Sequence, residues 1–359
     1  MTIQPTGPLA DAIHSCVESV VRDGRHVSAA IEAMFRSVRP MGSEAATIRN
    51  AVYDAIRYND VKGAIQRVYR NVADPDRAVI PAALRQLVEE AYGSTTPAIL
   101  KTFLLDAPTF VRVNTLRCTN ADCMEALKPF SAVHVEHNVL RVDAPYGMFT
   151  STAFNTGWFE QQDITSQRAG RELAARAGER IVDACAGAGG KTLLFAAEMR
   201  NRGRIIALDT SEQRLQALRS RLARSGADIV EPRLITTTKV VKRLASQADG
   251  VFVDVPCTGT GVFRRNPDMI ARFTLETYQA LLTQQADILR RNALVVKPGG
   301  RLVYATCSIL PGEGTDQIRN FLASETGAHF TLRNEWQTQS GENGGDGFYV
   351  ATLTRSSAS

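Results

Sequence analysis

The first part of the chain carries apolar residues at three- and four-residue spacing, which is the period of an amphipathic helix. Four segments show it: LADAIHSCVESVV, VSAAIEAMF, EAATIRNAVYDAIRY and PAALRQLVEEAYG, the last ending on a glycine suited to a helix C-cap. The pattern predicts a helical module over residues 1–95. Cys16 lies on the apolar face of the first segment, so we expect it to be a small core residue.

From residue 96 to residue 155 the pattern becomes that of short strands. FVRVNTLR and VHVEHNVLRV are strand candidates, and DCMEALKPF is a short helix candidate between them. The pattern predicts a small α+β segment. The order strand, helix, strand is typical of small sheets that bind RNA, and also of many that do not.

Apolar strands alternate with helices over residues 156–359. The strand candidates are RIVDAC, RIIALD, RLITT, GVFVDV, RLVYATC and GFYVATL, and the helix candidates include KTLLFAAEM, SEQRLQALRSRLA and ETYQALLTQQADILRR. This alternation predicts an α/β fold with a mostly parallel sheet covered on both faces. Because ligands of such sheets bind beyond the carboxyl ends of the strands, we expect the functional residues there.

Composition narrows the class of protein. The 359 residues are 44% hydrophobic and 22% charged, which excludes disordered and collagen-like chains. No apolar run approaches the roughly 18–20 residues of a membrane span, and the N-terminus lacks the pattern of a signal peptide. We therefore expect a cytoplasmic protein with no membrane partner.

The net charge of +5 is unevenly distributed. Residues 201–300 hold 16 basic and 9 acidic residues, whereas residues 1–200 hold 22 of each. A local basic excess suggests a polyanionic partner. A solvated helix face gives the same count, and residues 212–225 have the pattern of such a face.

The six cysteines do not indicate a disulfide framework in a chain of this length without a secretory signal. Cys118 and Cys123, followed by His134 and His137, resemble a zinc site. The gap between the histidines is shorter than zinc fingers use, and strand alternation explains both histidines. We therefore expect no metal.

A glycine-rich turn, DACAGAGGKT at 183–192, follows the first strand of the α/β region. It lacks a phosphate loop's first glycine, because Cys185 stands there, and a dinucleotide fingerprint's third glycine, because Thr192 stands there. Such a turn still lets a ligand approach a helix N-terminus. Asp209 ends the next strand, where a carboxylate can accept hydrogen bonds from both ribose hydroxyls. S-adenosylmethionine fits this pair of features better than NAD, which remains the alternative.

Two cysteines follow predicted strands at the ligand edge of the sheet. Cys257 stands in DVPCTGTG, after Asp254, and Cys307 stands in YATCS. They are either small buried residues or catalytic thiols. Carbon 5 of a pyrimidine is a poor nucleophile until a thiolate adds at carbon 6, and a base must later remove the proton at carbon 5. Two thiols beside a methyl-donor site therefore point to carbon-5 methylation.

These motifs resemble the RsmB/Sun (Fmu-like) family of S-adenosylmethionine-dependent RNA cytosine-C5 methyltransferases. The matching segments include GWFEQQDITSQ, VDACAGAGGKT, ALDTSEQRL, VDVPCTGTGVFRRNPD, VYATCSILPGEGTDQI and DGFYVATLTR. The resemblance covers roughly residues 80–355, and residues 10–75 resemble the family's NusB-like helical extension only loosely. It implies a Rossmann-like methyltransferase domain preceded by a small RNA-binding segment and the helical module.

The resemblance also implies roles. Cys307 is the expected nucleophile, and Cys257 assists release of the methylated base. Asp254 is expected to hydrogen-bond the cytosine edge and to border the cofactor, and Asp209 to hold the adenosyl ribose. The methionine end of the cofactor is expected to lie against the turn formed by Ala186, Gly187, Ala188, Gly189, Gly190 and Lys191.

Two departures from the family pattern concern the cofactor site, and a third is the segment PGEGTDQ, where the family carries a denser acidic run. The family loop reads CAAPGGKT, whereas Ala188 replaces the proline here and Gly187 precedes it. An acidic residue usually follows the third strand and bonds the adenine amino group, and Thr238 stands near that place here. We expect a looser turn and weaker cofactor binding.

Six residues are candidates for RNA contact. Arg264 and Arg265 follow the cysteine motif and are expected to meet a substrate phosphate. Arg112 and Asn114 belong either to an RNA-facing strand or to a domain junction. Gln162 and Asp163 are expected to shape the entrance of the active site. Because carbon 5 is shielded in a stacked helix, the target cytosine should be single-stranded or flipped out.

Taken together, these features predict a monomeric methyltransferase acting on ribosomal RNA. Transfer RNA methylation by the same chemistry, a catalytically weak RNA-binding assembly factor, and a nicotinamide-dependent dehydrogenase remain as alternatives.

Overall fold

The structure is a computed structural model that describes residues 7–40, 43–58, 80–341 and 344–357. Parts of the predicted helical module, including residues 59–79, lie outside these ranges. The chain divides into two compact units, one of Met1–Ala107 with Thr258–Tyr278 and one of Pro108–Cys257 with Gln279–Ser359. The three-part division expected from the sequence remains a prediction.

The described residues form the following helices and strands. The helices are α1 Pro8–Val21, α2 Val27–Val38, α3 Ser43–Tyr58, α4 Ala82–Tyr92, α5 Thr96–Thr102, α6 Asn120–Leu127, α7 Thr152–Asn155, α8 Ile164–Arg171, α9 Gly190–Glu198, α10 Glu212–Ser225, α11 Lys239–Lys242, α12 Pro267–Ala271, α13 Leu275–Ala293 and α14 Thr315–Leu322. The strands are β1 Thr109–Val113, β2 Ala132–Glu136, β3 Val139–Val142, β4 Phe159–Gln161, β5 Arg180–Asp183, β6 Arg204–Asp209, β7 Val230–Leu234, β8 Ala248–Asp254, β9 Val296–Thr306, β10 Phe330–Thr338 and β11 Phe348–Arg355.

The helices of the first unit confirm the helical N-terminal region. Helices α1, α2 and α3 bury one stripe each in a shared core, because their apolar residues recur three or four positions apart. Ile13, Cys16 and Val17 show this spacing on α1, and Cys16 is only 5% exposed, as expected for a core residue.

The small sheet of the second unit has the order β2-β3-β1-β4, with antiparallel neighbours throughout. The segment VHVEHNVLRV forms a hairpin of two strands. His137 makes the turn with a positive φ of 38°. The sheet packs its inward residues against α6, in a core that includes Val111, Leu127, Leu140 and Phe159.

The large sheet confirms the expected α/β architecture. Its order is β10-β11-β9-β8-β5-β6-β7, and the five strands from β9 to β7 are parallel. Strand β7, the third parallel strand along the chain, starts earlier than the RLITT segment predicted for it. Strand β10 was not predicted, because FTLRNEWQT is mostly polar and shows little apolar alternation.

Successive residues of the parallel strands pack into two separate cores, one on each face of the sheet. Ile181 of β5 packs with α8 and α9, whereas Val182 packs with α13 and α14 on the other face. This is the period-two pattern of a sheet covered on both sides. The strand order of the sheet reverses beside β5, because β6 and β8 lie on opposite sides of it. A crevice for ligands opens at such a point. No helix among the described residues is long and apolar enough to cross a membrane.

Candidate active site

The carboxyl ends of the parallel strands gather the residues that the motifs singled out. Asp183 ends β5, Asp209 ends β6 and Asp254 ends β8, while Cys307 directly follows β9. Because β8 and β9 are adjacent, the turn after β8 brings Cys257 next to Cys307.

The two cysteine sulfurs lie 3.3 Å apart, within hydrogen-bond distance. Both residues are partly exposed and neither forms a disulfide. The hydrogen bond with Cys257, burial and the charge of Asp254 hold the pKa of Cys307 well above its usual value. Cys307 is therefore a neutral thiol at neutral pH in this structure, and its proton must leave before the sulfur can act as a nucleophile.

A partly buried ion pair lies beside the thiols. Lys191 Nζ donates to Asp254 Oδ2 at 2.7 Å and also faces the rings of Phe252 and Phe348. Burial by itself lowers the pKa of Lys191, but the charge and hydrogen bond of Asp254 raise it above its usual value. Lys191 is thus a fixed cation that also lowers the pKa of Cys307.

The glycine turn is shaped by Asp209 and by close packing. Asp209 Oδ2 accepts from the Gly187 amide and Oδ1 from the Ser211 amide, both at 2.8 Å. Gly189 has a φ of 86°, and a Cβ there would stand 2.2 Å from Leu218 Cδ1. Only glycine fits that position, which brings the turn close to α10.

The residues around this turn fit an adenosyl cofactor. Each carboxylate oxygen of Asp209 can accept a further hydrogen bond, as a ribose requires. A Cβ at Gly187 would meet nothing within 4 Å, so the turn has open space above it. Gln162 Nε2 is buried beside Gly190 and finds no acceptor among the described residues, which leaves it able to donate to a ligand carboxylate.

Two of the residues predicted to contact RNA are buried and form hydrogen bonds within the protein. Asn114 is 2% exposed, and its Nδ2 donates to the carbonyls of Gly157 and Ser225, both at 2.8 Å. Arg112 is 3% exposed and its Nε donates to Gln162 Oε1 at 2.8 Å. Both side chains are buried in the second unit, and their contact with RNA remains a prediction.

Asp163 has a structural role at the start of α8. Its Oδ1 accepts from the amide of Thr165 at 2.8 Å, which caps the helix, and from the amide of Asp346 at 3.1 Å. Gln162, next to it, lies at the glycine turn. The pair therefore borders the site by holding backbone in place, and its contact with RNA remains a prediction.

Arg264 departs from the position expected of a phosphate contact. It is 2% exposed, and its carbonyl accepts a hydrogen bond from Arg57 Nη2 at 3.0 Å. Arg265 is partly exposed. Of the two, only Arg265 keeps surface that a phosphate can reach, and its contact with RNA remains a prediction.

Thr238 is exposed at the start of α11, four residues beyond the end of β7. Its contact with adenine remains a prediction.

Sequence reasoning missed the residues that brace the glycine turn. Glu160 is 2% exposed and accepts hydrogen bonds from Arg221 and Arg224 of α10. Arg221 Nη1 also donates to the carbonyl of Ala188 at 2.8 Å. This bond holds the turn at the residue that replaces the family's proline. The sequence held one signal for this cluster: an acidic residue in GWFEQQD, and two arginines spaced one helical turn apart in a separate helical segment.

A second brace holds the turn that carries Cys257. Gln285 is fully buried, and its Nε2 donates to the Pro256 carbonyl and to Glu313 Oε1, both at 2.9 Å. Nothing in the sequence around Gln285 indicated this contact.

The zinc-like residues show ordinary contacts. His134 Nε2 lies 2.9 Å from the His137 carbonyl, and Cys118 and Cys123 both lie near the Trp158 carbonyl. Within the described ranges there is no group of three or more His, Cys, Asp or Glu residues that could hold a metal ion.

Solved structures share this fold. A crystal structure of PH0851 superposes with a TM-score of 0.83 at 21% identity, covering 97% of this chain and 99% of that one. NSun6 from Pyrococcus horikoshii, solved with SFG, superposes with a TM-score of 0.69 at 18% identity, covering 77% and 99%. At these identities the likeness concerns the fold alone.

Sequence comparison identifies the family. A profile described as 16S rRNA methyltransferase RsmB/F matches residues 171–354. Ribosomal RNA small subunit methyltransferase B from Vibrio vulnificus is 30% identical over 331 residues, which is 84% of this chain and 75% of that protein. The protein of that name from Vibrio cholerae is 32% identical over 299 residues, 79% and 67% respectively. The chain therefore belongs to the RsmB/F family of RNA methyltransferases.

Proposed function

We propose that this protein transfers a methyl group from S-adenosylmethionine to carbon 5 of a cytosine in ribosomal RNA. The observation that carries the proposal is the pair of sulfurs of Cys257 and Cys307, 3.3 Å apart at the strand edge that also holds the glycine turn. Methylation of an exocyclic nitrogen or an oxygen needs no thiol, whereas carbon-5 methylation needs a thiol nucleophile and a base.

The cofactor site follows from the glycine turn. When bound, S-adenosylmethionine would supply a methyl group activated by its sulfonium and would leave as S-adenosylhomocysteine. Asp209 would accept hydrogen bonds from the ribose hydroxyls, and Gln162 Nε2 would donate to the carboxylate of the methionine end. A structural relative, NSun6 from Pyrococcus horikoshii, was solved with SFG, an analogue of this cofactor.

The first step is activation of the base. After giving up its proton to solvent water, Cys307 Sγ bonds to carbon 6 of the cytosine, and the electron pair of the C5–C6 double bond makes carbon 5 nucleophilic. Cys257 Sγ lies within hydrogen-bond range of that proton. Asp254, which forms an ion pair with Lys191, would accept from the cytosine amino group, where uracil offers only a carbonyl oxygen.

The second step releases the product. Once carbon 5 carries the methyl group, its hydrogen leaves as a proton to a base that Cys257 provides or assists. The electron pair of that C–H bond re-forms the C5–C6 double bond while the C6–S bond breaks. Cys307 thereby returns as a thiolate, and the enzyme is ready for another turnover.

Paired cysteine variants test the mechanism. Cys257→Ala, incubated with RNA and S-adenosylmethionine, should accumulate a protein–RNA adduct that survives a denaturing gel, because release is impaired. Cys307→Ala should form no adduct and transfer no methyl group. Cys118→Ala, the same change outside the site, should behave as the wild type.

The opposite results separate the alternatives. Full activity of Cys307→Ala would show that the nucleophile is another residue. Mapping of the methylated cytosine to transfer RNA would replace the substrate class but keep the chemistry. If calorimetry detected no cofactor binding, an RNA-binding assembly factor would replace the enzyme.

A further inference from the structure

A cavity lies in the second unit, away from the glycine turn. It has a volume of about 570 Å³ and is bordered by the end of β1, the β2–β3 turn and the C-terminal ends of α8 and α9. Since α9 begins at the glycine turn and has 9 residues, the cavity is roughly 13 Å from that turn along the helix. Its polar lining residues are Arg112, Thr115, Asn138, Arg171, Glu198 and Arg200.

The lining carries an excess of positive charge. Three guanidinium groups face one carboxylate, that of Glu198. Burial raises the pKa of Glu198 to about 7, although Arg171 and Arg112 oppose the shift. Near neutral pH this carboxylate is therefore only partly ionised and does not neutralise the three cations.

Two of the guanidinium groups have buried nitrogens that lack an acceptor. Arg112 Nη2 and Arg171 Nη1 form no hydrogen bond with any described residue. Two carboxylates lie near Arg171 but are too far away to accept a hydrogen bond from it. Its Nη1 is 4.0 Å from Glu136 Oε1 and its Nε is 4.0 Å from Glu198 Oε1. A buried donor left without a partner destabilises the protein, and a ligand with anionic oxygens would supply the missing acceptor.

Glu160 does not supply the missing acceptor. Its carboxylate adds to the field at Arg112, but its oxygens already accept from Arg221 and Arg224. The free nitrogens of Arg112 and Arg171 thus remain available to the cavity.

We propose that this cavity is a phosphate-binding site in which Arg112, Arg171 and Arg200 hold one phosphate group. Guanidinium groups match phosphate oxygens with two parallel hydrogen bonds, and Thr115 and Asn138 add uncharged donors. The volume is within the range of small-molecule sites. The phosphate comes from an RNA strand or from a free nucleotide, and the RNA source rests on the function proposed above.

Arg200 offers the cleanest test, because it is exposed and its replacement leaves the core intact. Arg200→Gln is compared with Arg202→Gln, an exposed neighbour outside the cavity lining that undergoes the same change. Binding of a short single-stranded RNA is measured over a range of salt concentrations. Loss of one phosphate contact should weaken binding several-fold and reduce the slope of log K against log salt by about 0.7.

A second arm identifies the source of the phosphate. Adenosine 5′-monophosphate is titrated into the wild type, Arg200→Gln and Arg202→Gln by calorimetry. A changed salt slope for RNA supports the site with RNA as its ligand. An unchanged slope, together with nucleotide binding that Arg200→Gln weakens, supports the site with a free nucleotide as its ligand.

The proposal is overturned if the wild type binds no nucleotide and Arg200→Gln and Arg171→Gln both bind RNA with the wild-type salt slope. Arg171→Gln is first checked for folding by thermal unfolding. Methyl transfer is measured separately on the same samples. An inactive wild type whose nucleotide or RNA binding still depends on Arg200 would refute the proposed function and leave the phosphate site intact.

Discussion

Two groups of charged and polar side chains in the same unit show how differently such groups are used. The first, the Glu160 cluster, consists of Glu160, Arg221 and Arg224. The second, the catalytic edge, consists of Asp254, Lys191, Cys257 and Cys307. Both lie close to the glycine turn, and both combine opposite charges.

The groups differ in how much bonding capacity remains. In the Glu160 cluster each carboxylate oxygen accepts from an arginine, and the glutamate side chain is 3% exposed. At the catalytic edge Asp254 bonds Lys191 through one oxygen, and the described residues give no partner to its Oδ1. The thiols of Cys257 and Cys307 bond only each other within the described residues. The Glu160 carboxylate, with both oxygens bonded, holds two helix arginines in place, whereas Asp254 and the two thiols keep bonding capacity for a substrate.

The largest expected effect is on activity at the catalytic edge. Cys307→Ser should reduce methyl transfer by at least about 10³-fold, because a hydroxyl is a far weaker nucleophile than a thiolate. The urea midpoint of unfolding should stay close to that of the wild type. Single-turnover transfer of a labelled methyl group measures the effect. A serine variant with wild-type rates would remove Cys307 from the chemistry.

The next effect is on stability in the Glu160 cluster. Glu160→Gln leaves two largely buried arginines without a counter-charge, and breaking such a buried pair costs about 3–5 kcal/mol. Urea unfolding followed by circular dichroism measures the free energy of unfolding. Glu212→Gln, which removes the exposed partner of Arg219, is the matched control and should change it by less than about 1 kcal/mol. Equal losses of the free energy of unfolding in the two variants would contradict the distinction between the buried carboxylate and the exposed one.

A smaller effect concerns the cofactor. Asp209→Asn keeps the shape of the side chain but removes the charge that a ribose would meet, and a hydrogen bond to a charged group is worth about 1.5–3 kcal/mol. Calorimetry should show S-adenosylmethionine binding weakened by about 10–100-fold. Asp228→Asn, an exposed aspartate outside the turn, should bind the cofactor normally. Unchanged affinity of Asp209→Asn would place the ribose elsewhere.

The remaining prediction concerns the dependence of the rate on pH. The pKa of Cys307 is raised well above its usual value, so only a small fraction is thiolate at neutral pH, and that fraction grows as pH rises. The single-turnover rate should therefore increase by about tenfold for each pH unit from about 6.5 to 8.5. A rate that is flat over this range would show that the thiol loses its proton more easily in the RNA complex.

The sequence predicted the elements whose patterns are local. Helices α1 to α3 repeat their apolar residues with a period of 3.6, and the parallel strands with a period of two. The ends of the strands follow from these repeats. Once the strands were placed, the neighbouring tips of β8 and β9 brought Cys257 and Cys307 together without any structural information.

The contacts of Arg112, Asn114 and Arg264 were beyond sequence reasoning. Asn114 bonds Ser225, which is 111 residues away, and no local pattern records such a contact. An arginine or asparagine on or beside a strand is equally typical of an RNA contact and of a buried brace, and its burial is not recorded in the local sequence pattern. Strand β10 was missed for a related reason, since its place in the sheet depends on pairing with β11 and little on its own sequence.

The most direct test of the central claim identifies the sulfur that bonds to the RNA. Wild-type protein is incubated with S-adenosylmethionine and RNA in which 5-fluorocytidine replaces cytidine, so that fluorine blocks loss of a proton at carbon 5 and traps the adduct. After digestion with trypsin, mass spectrometry should find the nucleotide on the peptide of residues 302–319, which contains Cys307. An adduct on the peptide of residues 244–264, which contains Cys257, would contradict the account.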